Sequence, residues 1–351
     1  MSESRASRSL LDYISDDRKP QKVNLKKLID RFTNFRNSYQ FKSLSDKDKL
    51  KILKRFEKVI ETEKDKLRQE EILSNGKIDE SNELNELRGN EWLFFTKSVL
   101  RSSYPSKYGH KLRKQHGANK PPQLMKHIIE FFTKSRQTVL DPFAGVGGTL
   151  LGASLCNRIA TGIEINKKWI DIYREVCKLS ECVKVGIREQ EMINGDCLEE
   201  LDKMIEKERQ FDFVATDPPY SIALEKTMCT DEYKIQHRKT DFNNFSDDER
   251  DFRNFKTFNE YYEGIRKMAE KVYQILKDKK YFVVIIRDSY QDTKYIMASY
   301  EISERIKQAG FTMKGIKIWY GTGARVRPYG YPYVYVPNII HQNILIFRKE
   351  N

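Results

Sequence analysis

The hydrophobic positions of the chain follow different patterns on the two sides of residue 90. Before it, apolar residues recur at helical spacing over residues 25–35 and 50–60. A polar stretch with two glycines and many Asn, Ser and Glu residues follows, as expected for a linker. We therefore predict a helical N-terminal extension and linker over residues 1–90, and a second domain over residues 91–351.

After residue 90, short apolar runs alternate with amphipathic segments, which predict strands and helices respectively. The predicted strands cover residues 137–140, 160–165, 190–194, 211–216, 281–286, 311–320 and 343–348. The predicted helices cover residues 122–134, 150–156, 167–178, 258–276 and 302–309. This alternation indicates an α/β fold with a doubly wound, mostly parallel sheet and an antiparallel ending.

The charge of the 351-residue chain is positive and unevenly distributed, with a formal net charge of +13. Residues 1–60 carry 16 basic and 8 acidic side chains, and residues 91–140 carry 10 basic and 2 acidic ones. Residues 141–220 reverse the balance, with 10 basic and 15 acidic side chains. This distribution predicts a protein that holds a small ligand centrally and contacts the phosphates of a polyanion around it.

The sequence also excludes several classes of protein. Its apolar runs are shorter than the roughly 20 residues that span a bilayer, and its first residues lack the apolar stretch of a secretory signal. The five cysteines form no C-x-x-C pair, and the five histidines show no metal-ligand spacing. We therefore expect a reduced, cytoplasmic protein without a disulfide framework or a metal site.

A glycine-rich turn joins a predicted strand to a predicted helix in the segment VLDPFAGVGGT, residues 139–149. Glycines at such a turn let the backbone approach a ligand closely. Glu164 ends the next strand, where a carboxylate can receive two ribose hydroxyls, and Asp196 follows the third strand. The G-x-G-x-x-G pattern of dinucleotide sites fails at Leu150. A nucleoside site is therefore favoured over a turn that serves the fold alone.

The segment Asp217-Pro218-Pro219-Tyr220 follows the predicted strand at residues 211–216. Two consecutive prolines stop a strand and fix a rigid, extended turn. The simplest alternative is a strand terminator followed by an exposed aromatic residue. The position of the segment favours a functional role, because α/β sheets build their sites at the carboxyl ends of their strands.

Together these motifs resemble those of the DNA amino-methyltransferases, which modify adenine N6 or cytosine N4. DPFAGVGGT, GIEIN (162–166), NGDC (194–197) and DPPY are similar to the S-adenosylmethionine and catalytic motifs of that family. HGANKPPQL (116–124) is similar to the motif that closes over the methionine end of the cofactor, and NILIFRK (343–349) to the last sheet strand. The resemblance covers residues 90–351 and implies a seven-stranded, Rossmann-like methyltransferase sheet.

The resemblance implies S-adenosyl-L-methionine as the cofactor. By likeness to the family, Asp141 and Phe143 border the methionine moiety. Glu164 binds the ribose, Ile165 packs on the adenine, and Asp196 accepts a hydrogen bond from the adenine amino group. The full set of implied cofactor-binding residues is Lys120, Pro121, Asp141, Pro142, Phe143, Ala144, Gly145, Gly147, Glu164, Ile165, Asp196 and Cys197.

The resemblance also implies that the DPPY segment is catalytic. Asp217 and the carbonyl of Pro218 would accept the two hydrogens of the target amine, Pro219 would complete the rigid turn, and Tyr220 would stack on the base. Because the amine is unreachable inside a duplex, the base must leave the helix. DPPY is commoner in the adenine-N6 than in the cytosine-N4 enzymes, which favours adenine. Cytosine carbon-5 methylation is disfavoured because no cysteine follows a proline.

DNA is the expected partner, and its contacts are expected outside the acidic centre. The expected nucleic-acid-binding residues are Lys111, Arg113, Lys114, Arg325 and Arg327. A homodimer and a cognate restriction endonuclease are further candidate partners of such an enzyme. Three rival functions stay open here: an RNA guanine-N2 methyltransferase, a nicotinamide oxidoreductase disfavoured by Leu150, and a catalytically dead nucleic-acid-binding module disfavoured by the intact acidic positions.

Overall fold

The computed structural model describes residues 25–74, 78, 81–117, 119–219, 248–321 and 326–350. Contacts divide the chain into two compact units, Met1–Lys77 with Arg88–Asn90 and Ile78–Leu87 with Glu91–Asn351. Residues 78–87, predicted as part of the linker, therefore belong to the larger unit. Asn85 shows the physical reason, because its buried side-chain amide donates a hydrogen bond to the carbonyl of Phe131 at 2.6 Å.

The smaller unit is helical, with α1 (Leu25–Asn37), α2 (Tyr39–Lys42) and α3 (Asp46–Ser74). Buried aromatic rings hold these helices together, and Phe32 stacks on Phe56 with ring centroids 3.5 Å apart. The Ser38 hydroxyl accepts a hydrogen bond from the N–H of Phe41 and so caps α2. The apolar residues at helical spacing thus form the contacts between helices.

The remainder of the described chain alternates helices and strands. The helices are α4 (Gly89–Thr96), α5 (His110–Arg113), α6 (Pro122–Phe132), α7 (Gly148–Leu155), α8 (Lys167–Lys178), α9 (Ser180–Val183), α10 (Cys197–Glu206), α11 (Phe258–Ile275) and α12 (Ala298–Gln308). The strands are β1 (Val99–Arg101), β2 (Thr138–Asp141), β3 (Ile159–Glu164), β4 (Glu191–Asn194), β5 (Phe211–Thr216), β6 (Leu276–Ile286), β7 (Ser289–Gln291), β8 (Lys294–Ile296), β9 (Thr312–Tyr320) and β10 (His341–Arg348).

The main sheet confirms the predicted α/β class with a mostly parallel sheet. Among the described residues its strand order is β1-β9-β10-β6-β5-β2-β3-β4, and only β10 runs antiparallel to its neighbours. The sheet has eight strands rather than the predicted seven, because β1 adds one. A strand of three residues shows no readable alternation, and pairing with β9, where Val99 faces Ile318, is what makes it a strand.

Helices cover both faces of this sheet, as expected for a doubly wound fold. On one face, α6, α7 and α8 pack against the side chains of Val139 and Phe213. On the other face, α10, α11 and α12 pack against Leu140 and Val214. Successive residues of one strand therefore enter opposite cores, which explains why the strands read as continuous apolar runs rather than as alternating patterns.

The parallel strands β2 to β6 bring their carboxyl ends to one edge of the sheet. The amino end of the antiparallel β10 reaches the same edge, because Asn343 pairs with Ile286 at the end of β6. Segments far apart in sequence therefore meet there. None of the described helices is both long enough and apolar enough to cross a membrane.

Candidate active site

A cavity of about 390 Å³ opens where the parallel strands end, a volume in the range of small-molecule sites. Most of the predicted catalytic and cofactor-binding residues form part of its wall. Those that line it are Lys120, Asp141, Pro142, Phe143, Ala144, Gly145, Glu164, Ile165, Asp196, Cys197, Asp217, Pro218 and Pro219. The segments that were predicted to bind the cofactor and to catalyse methyl transfer therefore meet at one cavity.

Two of the described predicted residues, Pro121 and Gly147, are not among those that line the cavity. Tyr220 lies outside the described residues. Pro121 precedes α6, and its carbonyl accepts hydrogen bonds from the N–H groups of Leu124 at 3.0 Å and Met125 at 3.2 Å. Pro121 therefore starts a helix instead of facing the cavity, and Gly147 is also absent from the wall.

Gly147 has a packing role in the glycine-rich turn. Its φ is +75°, and a Cβ atom there would lie 2.1 Å from Cδ2 of the buried Tyr173 ring. The hydroxyl of Tyr173 accepts a hydrogen bond from the N–H of Gln190 at 2.8 Å. The turn therefore rests on a ring that is itself held in place, and only glycine fits there.

Glu164 stands at the end of β3 and is tied to the same turn. One carboxylate oxygen accepts a hydrogen bond from the N–H of Gly145, and the other accepts one from the N–H of Asn166, both at 2.9 Å. These bonds fix the orientation of the carboxylate at the cavity wall. A carboxylate offers about four lone-pair positions, so Glu164 can accept further hydrogen bonds from a ligand.

Asp141 is buried at the end of β2 and joins three elements. Its carboxylate accepts hydrogen bonds from the hydroxyls of Thr149 and Thr216, the latter at 2.7 Å, and from the N–H of Phe143 at 3.0 Å. Burial raises the pKa of this carboxyl to about 6, and the hydrogen bonds oppose that rise. Asp141 thus holds the floor of the cavity, where β2, β5 and α7 meet.

The raised pKa of Asp141 predicts a dependence of stability on pH. Between its unfolded pKa near 3.8 and its folded pKa near 6, the folded state binds more protons, so stability rises as pH falls. Relative to Asp141→Asn, the wild-type free energy of unfolding should rise by about 1.4 kcal/mol from pH 7 to pH 5. Urea unfolding of both proteins without cofactor measures this. If the difference in free energy of unfolding between the two proteins were the same at pH 7 and pH 5, the raised pKa of Asp141 would be contradicted.

Asp196 and Cys197 begin α10 beside the cavity. The Asp196 carboxylate accepts hydrogen bonds from the N–H groups of Leu198 at 2.9 Å and Glu199 at 3.1 Å, and so caps the helix. Burial raises the pKa of the Cys197 thiol well above its ordinary value, which makes it a poor nucleophile. Within the described residues, no group of three His, Cys, Asp or Glu side chains could hold a metal ion.

Asp217 follows β5 and is partly buried, and it forms an ion pair with the buried Lys120, which precedes α6. Burial lowers the pKa of the Lys120 ammonium, and the charge of Asp217 opposes that effect. The pair keeps the carboxylate at the cavity without burying an isolated charge. Lys120 was predicted to bind the cofactor, and the structure places its ammonium group on the predicted catalytic carboxylate.

Arg113 was predicted to contact phosphates, and the structure contradicts that prediction. Its side chain is 1% exposed. Its Nε donates to the carbonyl of Tyr108 at 3.0 Å and its Nη1 to the carbonyl of Lys120 at 2.9 Å. Burial lowers the pKa of the guanidinium to about 10. Arg113 therefore fixes the backbone that carries Lys120, whereas Lys111 and Lys114 are exposed.

The two remaining predicted nucleic-acid contacts lie in the segment before β10. Arg327 is exposed, and its backbone is hydrogen-bonded to the side chain of Asn338. Arg325 lies outside the described residues. Arg327 is not among the residues that line the cavity.

Several residues of the site were missed by the sequence predictions. The buried Tyr261 hydroxyl of α11 donates to the carbonyl of Pro219 and holds the diproline turn. His116 approaches the glycine turn from HGANKPP, a motif already quoted for the cofactor. Arg287 follows a buried strand at the same edge, a signal that could have identified it. Tyr261 gives no such signal, because it lies on an ordinary helix face.

Two curated relatives match parts of the chain. The type II methyltransferase M.HindIII of Haemophilus influenzae is 55% identical over 51 residues, which is 14% of this chain and 16% of that protein. The tRNA (guanine(10)-N2)-dimethyltransferase of Pyrococcus abyssi is 29% identical over 112 residues, 32% of each chain. The matched segments thus span less than a third of each relative.

Solved structures that align with part of this chain include TrmN from Thermus thermophilus, at 12% identity and a TM-score of 0.39, covering 65% of this chain and 48% of that one. A SAM-dependent methyltransferase from Streptococcus mutans aligns at 9% identity and a TM-score of 0.38, covering 68% and 47%. Part of the chain, residues 125–236, also matches a family model described as conserved hypothetical protein 95.

A family model described as DNA methylase, of the N6/N4 type, matches residues 8–175 and 211–351, which is more than half of the chain. These ranges include the glycine turn, Glu164 and the Asp217-Pro218-Pro219 segment, all of which the structure brings to one cavity. The chain therefore belongs to the N6/N4 DNA methylase family.

Proposed function

We propose that this protein transfers a methyl group from S-adenosyl-L-methionine to the exocyclic amine of a flipped DNA base. The proposed base is adenine, which is methylated at N6. One observation carries the proposal. The cavity lined by Glu164 and Asp196 at two neighbouring strand ends is also lined by Asp217 and Pro218 at the end of β5. A nucleoside-binding wall and an acceptor pair for an amine therefore share one cavity.

The residues present fit the cofactor. Glu164 is fixed by two backbone N–H groups and can accept hydrogen bonds from the ribose hydroxyls. Asp196 can accept a hydrogen bond from the adenine amino group. Phe143 and Ile165 supply apolar walls for the adenine and the methionine chain. When bound, S-adenosylmethionine supplies an electrophilic methyl group on a sulfonium.

The DPP segment suits an exocyclic amine, whose lone pair is delocalised into the ring of the base. Asp217 and the Pro218 carbonyl accept its two hydrogens and favour a pyramidal nitrogen that points its lone pair at the methyl group. This is positioning together with electrostatic stabilisation, because Asp217 also balances the positive charge that develops on nitrogen. Tyr261 holds the turn by donating to the carbonyl of Pro219.

The test is transfer of a tritiated methyl group to DNA and to tRNA, followed by mass spectrometry of the nucleosides. We expect N6-methyladenine in DNA. The second candidate is an RNA guanine-N2 methyltransferase, favoured by the 112-residue match to the tRNA enzyme. Label in tRNA alone would establish the RNA methyltransferase and contradict the DNA proposal. N4-methylcytosine in DNA would show that the target base is cytosine instead of adenine. A cognate restriction endonuclease belongs to the same proposal, because M.HindIII is named a type II methyltransferase.

Lys111 and Lys114 are expected to contact DNA phosphates, since both are exposed beside the segment that carries Lys120. The double variant Lys111→Gln/Lys114→Gln should weaken DNA binding and reduce the slope of log K against log salt by about 1.8, or about 0.9 per phosphate. Cofactor affinity should not change.

Fluorescence anisotropy at several salt concentrations measures that slope. The matched control is Lys203→Gln/Lys207→Gln, which removes two exposed lysines at the far end of α10. An equal loss of slope in the control would show that net charge alone is responsible.

A further inference from the structure

Residues 326–336, here called the tyrosine loop, expose an unusual amount of aromatic surface. Tyr331, Tyr333 and Tyr335 are 81%, 90% and 85% exposed, and Val334 between them is also exposed. Large apolar side chains left in water at neighbouring positions indicate an interaction site rather than a packed surface.

The loop is held in a defined conformation by its own hydrogen bonds. The N–H of Arg327 donates to the side-chain oxygen of Asn338, and the side-chain amide of Asn338 donates back to the carbonyl of Arg327, both at 2.8 Å. The N–H groups of Tyr333 and Val334 both donate to the carbonyl of Gly330 at 2.8 Å. The tyrosines are therefore presented on a built turn.

The sheet places this loop at the edge that carries the active site. Tyr320 at the end of β9 pairs with His341 at the start of β10, so the chain between them leaves that edge. Arg287 and Gln342 flank the connection and line the cavity. Arg287 also donates to the carbonyl of Ile339, just beyond the loop.

The charge around the loop favours a polyanion. Two exposed arginines lie at the loop: Arg327 belongs to it, and Arg287 donates to the carbonyl of Ile339 just beyond it. The sequence has no acidic residue between Glu304 and Glu350. An acidic or neutral protein surface would account for the charge or for the tyrosines, but DNA accounts for both, since its phosphates meet the cations and its bases stack on aromatic rings.

We propose that the tyrosine loop stacks on unpaired DNA bases next to the target base. This inference rests on the proposed function, in which the target leaves the duplex. In an intact duplex the faces of the bases are covered by their neighbours, so the rings gain a partner only where a base has been extruded or a strand is single. Stacking tolerates any sequence, because every base has a π face.

The experiment compares the full chain with a triple variant, Tyr331→Ala/Tyr333→Ala/Tyr335→Ala. The probes are a fluorescein-labelled single strand of mixed sequence, about 20 nucleotides long to exceed a typical single-strand site, and the same strand as a duplex. Affinity for the single strand should fall roughly 10- to 100-fold, as expected for the loss of one or more stacked bases. Affinity for the duplex, which depends on phosphates, should change little.

Two further triple variants carry Phe or Leu at the same three positions, and they test whether the interaction is ring stacking. Phe should retain single-strand affinity and Leu should lose it, because stacking needs a ring but no hydroxyl. Tyr39→Ala, which removes a tyrosine that is 85% exposed in the smaller unit, is the matched control and should bind as wild type. Melting temperature and cofactor affinity verify that each variant is folded.

Unchanged single-strand affinity in the Ala variant, or full affinity in the Leu variant, would overturn the proposal. A changed sedimentation coefficient with unchanged DNA affinity would also overturn it and would make the loop a contact between copies of the chain. Methyl transfer by the wild-type protein to DNA or to tRNA is measured separately, so a failure of the proposed function is distinguishable from a failure of the loop.

Discussion

Replacing Asp217 with alanine is expected to reduce methyl transfer by about a thousand-fold while cofactor binding is retained. The carboxylate is the proposed acceptor for the target amine, and removing one preorganised electrostatic group typically costs about 100- to 1,000-fold in turnover. Asp217 also pairs with the buried Lys120, and breaking a buried pair from one side can cost about 3–5 kcal/mol of stability. Asp217→Asn, which keeps an oxygen for Lys120, separates the two effects.

Tritiated-methyl transfer, calorimetric cofactor binding and thermal melting are measured on both variants. The matched control is Asp212→Asn at the opposite end of the same strand. Asp212 forms an ion pair with Lys277 at 2.8 Å and accepts hydrogen bonds from Thr138. Its variant should lose stability but keep turnover. Wild-type turnover in both Asp217 variants would refute the catalytic role of Asp217. If Asp212→Asn were equally inactive, the loss of methyl transfer would result from a disturbed sheet and not from the missing carboxylate at the site.

Replacing Gly147 with alanine should lower the free energy of unfolding by about 3 kcal/mol and weaken cofactor binding. A residue with a Cβ atom at positive φ costs roughly 1–2 kcal/mol, and overpacking a rigid neighbour adds about 1–3 kcal/mol. The neighbour here is the Tyr173 ring, 2.1 Å from the position of the added Cβ. Because the ring is buried and hydrogen-bonded, the turn must move instead, and the cavity wall moves with it.

Gly186 provides the matched control for this substitution. Its φ of +77° is nearly the same, but nothing lies within 4 Å of the position of an added Cβ. Gly186→Ala should therefore show the cost of the backbone conformation alone. Urea unfolding of both variants gives the difference, and equal losses would show that the contact with Tyr173 contributes nothing.

The sequence by itself determined the class of the fold and the positions of the motifs. Buried strands show as short apolar runs, and polar residues directly after them must meet at one edge of a parallel sheet. Glu164, Asp196 and Asp217 were predicted in this way, and all three line one cavity. The three residues of β1 were beyond this reasoning, because so short a segment carries no period and becomes a strand only by pairing with β9.

Only the tertiary structure decided what each charged side chain does. Arg113 and Lys114 are neighbours in a basic segment, yet one is buried against the carbonyl of Lys120 and the other is exposed. Lys120 and Asp217 are 97 residues apart, and they form an ion pair because α6 and β5 bring them to the same cavity. Sequence patterns report periodicity along the chain, whereas burial and charge pairing depend on neighbours supplied by distant segments. The motifs are therefore local properties, and the roles of their side chains are properties of the fold.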